Sequence, residues 1–202
     1  MSVSFQNSET RKNLMRAFAG ESQARNRYTF AACQAKKQQL HVVEALFTFT
    51  ANQEKEHAEI FYNHLKQCAG ENIDTESAAY PVDIADDIST LLKMAHHNEL
   101  EEFSPVYPNF AQIAKDEGFN EISTSFKNIA GIEKKHGERF KVFADLMDSG
   151  NLFKEDKEIS WMCLNCGYIF DGVSAPMACP VCKKPQGYFI RLSMSPWGLS
   201  CN

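Results

Sequence analysis

The stretch ISTSFKNIAGIEKKHGERFKVFADLM, residues 122–147, decides the fold class of this chain. Its inward residues recur at alternating spacings of four and three, which is the pattern of a helix that buries one stripe inside a helical bundle. The stripe comprises Ile122, Phe126, Ile129, Glu133, His136, Phe140, Phe143 and Met147. A glutamate and a histidine therefore fall where the apolar interior of a bundle is expected.

Three further segments carry the same helical periodicity. We predict these three helices over residues 8–39, over residues 42–68 and from near residue 84, in addition to the helix over residues 119–147 that carries the first stripe. Between the second and third helices, residues 69–83 form a stretch that is long enough to cross the bundle. The sequence therefore predicts a mainly α fold, with a ferritin-like four-helix bundle over residues 1–155.

Six ionisable residues lie on the stripes that should face the interior of this bundle. They are Glu21, Glu54, His57, Glu102, Glu133 and His136. A buried carboxylate without a partner is costly, so these groups need a common partner, which divalent metal ions supply. Two Glu-x-x-His pairs, with one glutamate on each of the other two helices, form the ligand pattern of di-iron and di-manganese bundles. Oxygen and nitrogen ligands in this number favour iron or manganese over a closed structural zinc site.

The last quarter of the chain is richer in Gly, Pro, Cys and aromatic residues, and it carries two Cys-x-x-Cys pairs. The four cysteines are Cys163, Cys166, Cys179 and Cys182. Four thiolates favour tetrahedral zinc or iron, and the spacing alone favours zinc. The residues that flank the cysteines resemble the two knuckles of rubredoxin, which hold iron. We therefore predict a rubredoxin-like domain over residues 156–202. A polar linker over residues 149–160 spans the boundary between the bundle and this domain. Its expected small core comprises Trp161, Tyr168, Phe170, Tyr188 and Phe189.

Composition excludes several classes of function. The chain has 202 residues and a formal net charge of −5, which argues against nucleic acid as a partner because phosphate binding needs a basic face. No apolar run is long enough for a membrane span, and the first residues lack the pattern of a signal peptide, so we expect a cytoplasmic protein. The sequence carries no Gly-rich nucleotide-binding loop, so we do not expect this chain to bind NAD(P)H itself. If NAD(P)H is the source of electrons for the metal sites, an external reductase has to transfer them.

Several of these motifs together resemble the rubrerythrin family. They are AGESQARNRY (19–28), QEKEHA (53–58), YPNFAQIAKDEG (107–118), the Glu-x-x-His pair that starts at Glu133, and the cysteine knuckles. The likeness covers nearly the whole chain. It implies a non-haem di-iron peroxidase that reduces hydrogen peroxide to water in oxidative-stress defence. It also implies a homodimer or larger homo-oligomer, in which the rubredoxin-like iron of one subunit approaches the di-iron site of another.

The resemblance also assigns roles within the predicted bundle site. The six stripe residues match the family's ligands, with Glu54 and Glu133 bridging the two metals. Tyr28 and Tyr107 match tyrosines near the site that donate hydrogen bonds to ligand carboxylates. These two residues complete the predicted catalytic set.

One departure from the family pattern concerns the third helix. The family motif is Glu-x-x-Glu-x-Tyr-Pro, and Pro105 stands where the resemblance places a second glutamate after Glu102. We therefore expect that His57 stays bound in both redox states or that solvent fills the position, with Glu99, one turn earlier, as a possible substitute. Pro105 also predicts a kink or an end of the helix at Ser104.

Two other functions stay open on the sequence alone. A ferroxidase or iron-handling protein would use the same bundle but would not need a redox-active cysteine site. A zinc-ribbon interaction protein would explain the knuckles but would leave the buried glutamates unexplained.

Overall fold

The computed structural model of this chain describes residues 3–76 and 78–196. Its helices are α1 (Glu9–Lys37), α2 (His41–His64), α3 (Ile88–Glu101), α4 (Tyr107–Asp116) and α5 (Asn120–Asp148). Helix α1 packs along α2, while α3 and α4 both pack along α5. Since α3 and α4 form one interrupted rod, the result is a four-helix bundle, which confirms the predicted fold class. Within the described ranges, no helix has the length and apolar character that a membrane crossing requires.

The third rod is interrupted at the place that Pro105 predicts. A π-helical turn, Glu102–Val106, joins α3 to α4, and Ser104 within it has φ −163° and ψ 115°, far from helical values. The residue before a proline is pushed out of the α region by the proline ring, which explains why the break falls at Ser104. Beyond the break, α4 resumes at Tyr107 with Pro108 in its first turn, where a missing N–H is harmless.

The third helix begins later than predicted, at Ile88 rather than near residue 84. The Asp87 side chain accepts a hydrogen bond of 2.7 Å from the Thr90 backbone N–H, so it caps the helix at this point. The crossing segment therefore extends to residue 87, and its described part from residue 69 contains no helix or strand.

Two apolar clusters fill the bundle, one on either side of the predicted metal level. Phe47, Leu92 and Phe140 lie in the first cluster, and Phe61 and Phe126 lie in the second. The four helical rods cross from one cluster to the other, and their ionisable residues lie in between. The apolar residues therefore hold the rods together while leaving one polar layer inside.

The C-terminal domain is a small antiparallel sheet with strand order β2-β1-β3. The strands are β1 (Lys154–Cys163), β2 (Ile169–Ser174) and β3 (Phe189–Arg191). Trp161 and Phe189 are fully buried, with Tyr168, Phe170 and Tyr188 partly buried around them, as the predicted aromatic core requires. The linker prediction for residues 149–160 is wrong from Lys154 onward, because the exposed first half of β1 is polar and resembles a loop in composition. The division at residue 155 stays a prediction, and it falls inside β1.

This domain rests on the start of α2 in the same chain. The Tyr188 ring stacks on the His41 ring with 3.9 Å between their centroids, and Ile190 joins the first apolar cluster of the bundle. Gly187 lies so close that an added Cβ would be 1.8 Å from the Gln39 carbonyl oxygen. Only glycine fits this contact, so the domain can lie this close to the bundle only with glycine at position 187.

Candidate metal centre

The layer between the two apolar clusters brings buried carboxylates and imidazoles together. Two groups of four residues can each hold an ion, and every donor atom within a group lies within 4.8 Å of the others. The first group is Glu21, Glu54, His57 and Glu133, and the second is Glu54, Glu99, Glu133 and His136. Each rod of the bundle contributes, and two glutamates belong to both groups.

The first group centres on His57 of α2. Its Nδ1 lies 2.9 Å from Glu133 Oε1, 3.1 Å from Glu54 Oε2 and 3.8 Å from Glu21 Oε2. Glu54 and His57 lie three residues apart on one helix, so their side chains point to the same face. This arrangement matches the predicted Glu-x-x-His pair of α2.

The second group repeats this arrangement around His136 of α5. Its Nδ1 lies 2.8 Å from Glu133 Oε2, 2.9 Å from Glu54 Oε1 and 3.4 Å from Glu99 Oε2. Glu54 and Glu133 thus offer one oxygen to each group, which is the geometry of a bridging carboxylate. The resemblance had assigned bridging roles to these same two residues.

A tyrosine completes each group. The Tyr107 hydroxyl donates a hydrogen bond of 2.5 Å to Glu21 Oε1, and the Tyr28 hydroxyl donates one to Glu99 Oε1. Both tyrosines are buried. Each tyrosine occupies one oxygen of a terminal glutamate and leaves the other oxygen, Oε2, turned toward the histidine of its group.

The donor atoms of the site fit metal ions better than they fit one another. Several fully buried atoms have no hydrogen-bond partner of acceptable geometry among the described residues: Glu21 Oε2, Glu54 Oε1, Glu99 Oε2, both Glu133 oxygens and His136 Nδ1. Buried polar atoms are almost always paired, so a set of orphans that face one another indicates an absent common partner. Hard oxygen donors combined with imidazole suit iron or manganese.

Protonation in the metal-free protein reflects the same excess of negative charge. Burial, with repulsion from Glu54, raises the pKa of Glu21 to about 7. Burial, with repulsion from Glu133, raises the pKa of Glu99 to about 8. Burial alone would lower the pKa of His136, but the nearby carboxylates of Glu133, Glu54 and Glu99 raise it to about 12. Protons thus take the place of cations, and metal ions would displace them.

The third-helix position in the second group is held by Glu99, whereas we predicted Glu102. Glu99 is fully buried, while Glu102 is half-buried and lies outside both groups of four. Burial of its carboxylate, with repulsion from Glu21 and Glu99, raises the pKa of Glu102 well above its ordinary range. Glu102 therefore borders the site, and its role as a ligand stays a prediction.

The expectation that Pro105 removes a ligand stays a prediction; Pro105 is exposed, and Glu99, the expected substitute, belongs to the second group. The sequence retains a Glu-x-x-Glu pair, formed by Glu99 and Glu102. The two halves of the bundle form an approximate repeat that carries a signal for this assignment, since Glu99 precedes Glu133 by 34 residues and Glu21 precedes Glu54 by 33. Glu102 precedes Glu133 by only 31 residues, so it fits the repeat less well.

Two residues that the sequence did not single out position the second group. His136 Nε2 lies 3.0 Å from Gln53 Oε1, a contact that leaves His136 Nδ1 for the metal side. Gly137 permits the close approach of α3, because an added Cβ there would lie 3.3 Å from Glu99 Cβ. A glutamine beside Glu54 and a glycine beside His136 are too common in helices to be recognised from one sequence.

The knuckles form the second candidate centre. The Sγ atoms of Cys163 and Cys182 are 3.7 Å apart, and those of Cys166 and Cys179 are 3.6 Å apart. Sulfurs bound to one ion at about 2.3 Å in a tetrahedron are separated by about 3.8 Å, so the four cysteines fit a single ion. A hydrogen bond from the Lys184 backbone N–H lowers the pKa of Cys182 to about 6, which favours the thiolate.

Comparison with known proteins finds the same two parts. The family model described as Rubrerythrin matches residues 12–144, and the model described as Rubrerythrin, rubredoxin-like domain matches residues 161–190. A rubrerythrin of Clostridium perfringens is 43% identical over 187 residues, which cover 92% of this chain and 95% of the relative. A rubrerythrin of Porphyromonas gingivalis is 41% identical over 189 residues, which cover 94% of this chain and 92% of the relative.

A solved structure has the same fold. A nigerythrin in a mixed-valence state superposes with a TM-score of 0.60 at 27% identity, over 95% of this chain and 88% of the other. The same protein has also been solved in a form described as fully reduced and all ferrous. These likenesses extend over the bundle and the knuckles together, so they concern the whole architecture.

Proposed function

This chain belongs to the rubrerythrin family, and on that basis we propose that it is a peroxidase that reduces hydrogen peroxide to water. The observation that carries the proposal is the pair of matched groups around His57 and His136, which share Glu54 and Glu133. The all-ferrous state described for nigerythrin supports iron as the metal. When bound, two irons would supply the two electrons that, with two protons, convert one hydrogen peroxide molecule into two water molecules.

The protein's own residues would hold this pair and control its protons. Glu54 and Glu133 would bridge the ions, with Glu21 and His57 on one side and Glu99 and His136 on the other. Tyr107 and Tyr28 fix the terminal glutamates by donating hydrogen bonds to them. Glu102 lies at the edge of the site, where we propose that it carries the protons that are needed for product water.

The knuckle would hold one iron and pass electrons singly to the bundle. Cys166 is exposed and Cys182 is partly exposed, so an external protein can approach this centre. We propose that the donor is an NAD(P)H-dependent reductase or a rubredoxin. We further propose a cytoplasmic homodimer or larger homo-oligomer, in which the knuckle of one subunit serves the bundle site of another.

Stopped-flow mixing of the fully reduced protein with hydrogen peroxide or with oxygen tests the proposal. We expect peroxide to oxidise the bundle centre much faster than oxygen does, at equal concentrations. Iron analysis of the same sample should find two irons in the bundle and one in the knuckle. Faster oxidation by oxygen would contradict the peroxidase assignment and would favour a ferroxidase or iron-handling protein.

A further inference from the structure

A cleft of about 280 Å³ lies beside the candidate metal centre, between α1, the interrupted third rod and the crossing segment. The residues that matter in its lining are Arg16, Gly20, Arg27, Tyr80, Glu102 and Tyr107. Tyr107 connects the cleft to the buried carboxylates, because its hydroxyl donates a hydrogen bond to Glu21 Oε1. The cleft therefore borders a residue that holds one of the site's carboxylates.

Gly20 lies beside both Tyr80 and Glu102 in the wall of this cleft. A Cβ placed on Gly20 would lie 3.6 Å from Tyr80 Cε1 and 3.7 Å from Glu102 Oε1. An aromatic ring and a carboxylate thus face each other across a residue that has no side chain.

The Tyr80 ring is held in this position by α1. Its hydroxyl donates a hydrogen bond of 2.9 Å to the Arg16 carbonyl oxygen. Three residues further on, Asp83 accepts a hydrogen bond of 2.6 Å from Asn98 Nδ2 and lies 3.2 Å from Arg27 Nε. Because this stretch has no helix or strand of its own, these polar contacts fix where the ring stands.

We propose that Tyr80 is a specificity-determining residue, whose ring admits hydrogen peroxide to the site and excludes hydroperoxides that carry a bulky carbon substituent. The inference rests on the proposed peroxidase function and adds a substrate restriction to it. An organic hydroperoxide, ROOH, would take the same two electrons and two protons to give ROH and water. Only its access to the site differs from that of hydrogen peroxide.

The test compares two oxidants on the iron-loaded, reduced protein, without any reductase. We measure second-order rate constants for oxidation of the bundle centre by hydrogen peroxide and by tert-butyl hydroperoxide, in the wild type and in Tyr80→Ala. We expect the wild type to prefer hydrogen peroxide and Tyr80→Ala to reduce that preference about tenfold, mainly by faster reaction with the bulky oxidant. Tyr80→Phe should keep most of the wild-type preference, because the ring remains and the contacts of Asp83 still hold the segment.

Matched variants separate this outcome from a general effect. Tyr62→Ala removes an exposed tyrosine of α2 and should leave both rate constants unchanged. If Tyr80→Ala fails to fold or to bind iron, Gly20→Ala tests the same cleft by adding bulk to its wall, whereas Tyr80→Ala removes bulk. Its methyl group makes only ordinary contacts and should slow hydrogen peroxide severalfold, with an unchanged iron content and absorption spectrum.

Failure of this inference is distinct from failure of the proposed function. A wild type that reacts rapidly with hydrogen peroxide, combined with an unchanged preference in Tyr80→Ala, would overturn the role of Tyr80 alone. Equal rate constants for the two oxidants in the wild type would overturn it as well. A wild type that does not react with hydrogen peroxide would overturn the peroxidase proposal.

Discussion

The bundle centre takes its donors from four helical rods that are far apart in the chain, whereas the knuckle takes all four from the short stretch between Cys163 and Cys182. The bundle donors are almost wholly buried, and burial, with repulsion from neighbouring carboxylates, raises the pKa values of Glu21 and Glu99. In the knuckle, Cys166 is exposed and backbone N–H groups face the sulfurs. The bundle centre therefore depends on the packing of the whole bundle, while the knuckle centre depends on two local turns.

Reciprocal loss of the two centres gives the largest expected effect. Glu54→Ala removes an oxygen donor from both bundle groups, so we expect loss of the bundle iron and at least a hundredfold slower oxidation by peroxide. Cys182→Ser should instead remove the knuckle iron and leave single-turnover oxidation of the bundle centre intact. Iron analysis and visible absorption spectra measure both results.

Two matched variants control this experiment. Glu56→Ala removes an exposed glutamate of α2, and Cys33→Ser removes an exposed cysteine of α1. Neither should change the iron content. Loss of both centres in either Glu54→Ala or Cys182→Ser would show that the two regions do not bind metal independently.

The third rod provides a sharper test, because it carries two candidate ligands. Glu99→Gln replaces a member of the second group, and Glu102→Gln replaces its neighbour outside that group. We expect Glu99→Gln to weaken metal binding about ten times more than Glu102→Gln does, as measured by competition with a chelator. The opposite order would restore Glu102 as the principal ligand of this rod.

The metal-free bundle should also lose stability as pH rises from 5 to 8. The folded-state pKa values of Glu21 and Glu99 are about 7 and about 8, above the ordinary glutamate value, so the folded protein retains protons that the unfolded chain releases. The raised pKa of His136 acts in the same direction at the upper end of this range. Stability therefore falls with rising pH wherever the folded state binds more protons.

Thermal unfolding of the metal-free protein at several pH values measures this effect. The iron-loaded protein is the control, since its metal ions displace those protons and should reverse or remove the trend. A metal-free protein that becomes more stable between pH 5 and pH 8 would contradict the protonation described for the site.

The contact between the two regions gives the smallest expected effect. Gly187→Ala would place a Cβ 1.8 Å from the Gln39 carbonyl oxygen, so the domain has to shift on α2, at an expected cost of about 1–3 kcal/mol. Denaturant unfolding measures this loss. Gly131→Ala is the matched control, because a Cβ there meets nothing within 4 Å. Equal stability of the two variants would show that the domain does not depend on this contact.

The same contrast explains how much the sequence could predict. The knuckle was found from spacing because each Cys-x-x-Cys turn is complete within a few residues. The bundle pattern was found from periodicity, and the structure brings Glu21, Glu54, His57, Glu133 and His136 together. On the third rod, Glu99 and Glu102 are one turn apart and both fit an inward stripe, so periodicity could not separate them.

Other features were beyond the reach of sequence patterns for physical reasons. Pro105 correctly predicted the break at Ser104. Which side chains of the third rod face the interior on either side of the break depends on packing against α5. Tyr80 lies in a segment without periodicity, so nothing in the sequence connected it with Gly20. The start of β1 was missed because its exposed residues are polar.

The unpaired oxygens inside the bundle also affect how long a newly made chain survives in a cell. Without iron, the unpaired donor atoms of this layer lack the ions that would stabilise the folded state. We therefore expect a larger fraction of molecules to be unfolded at any moment. Unfolded molecules are removed by proteases, so their abundance follows their stability. We therefore expect the amount of this protein in a cell to follow the supply of iron, even when its rate of synthesis is constant.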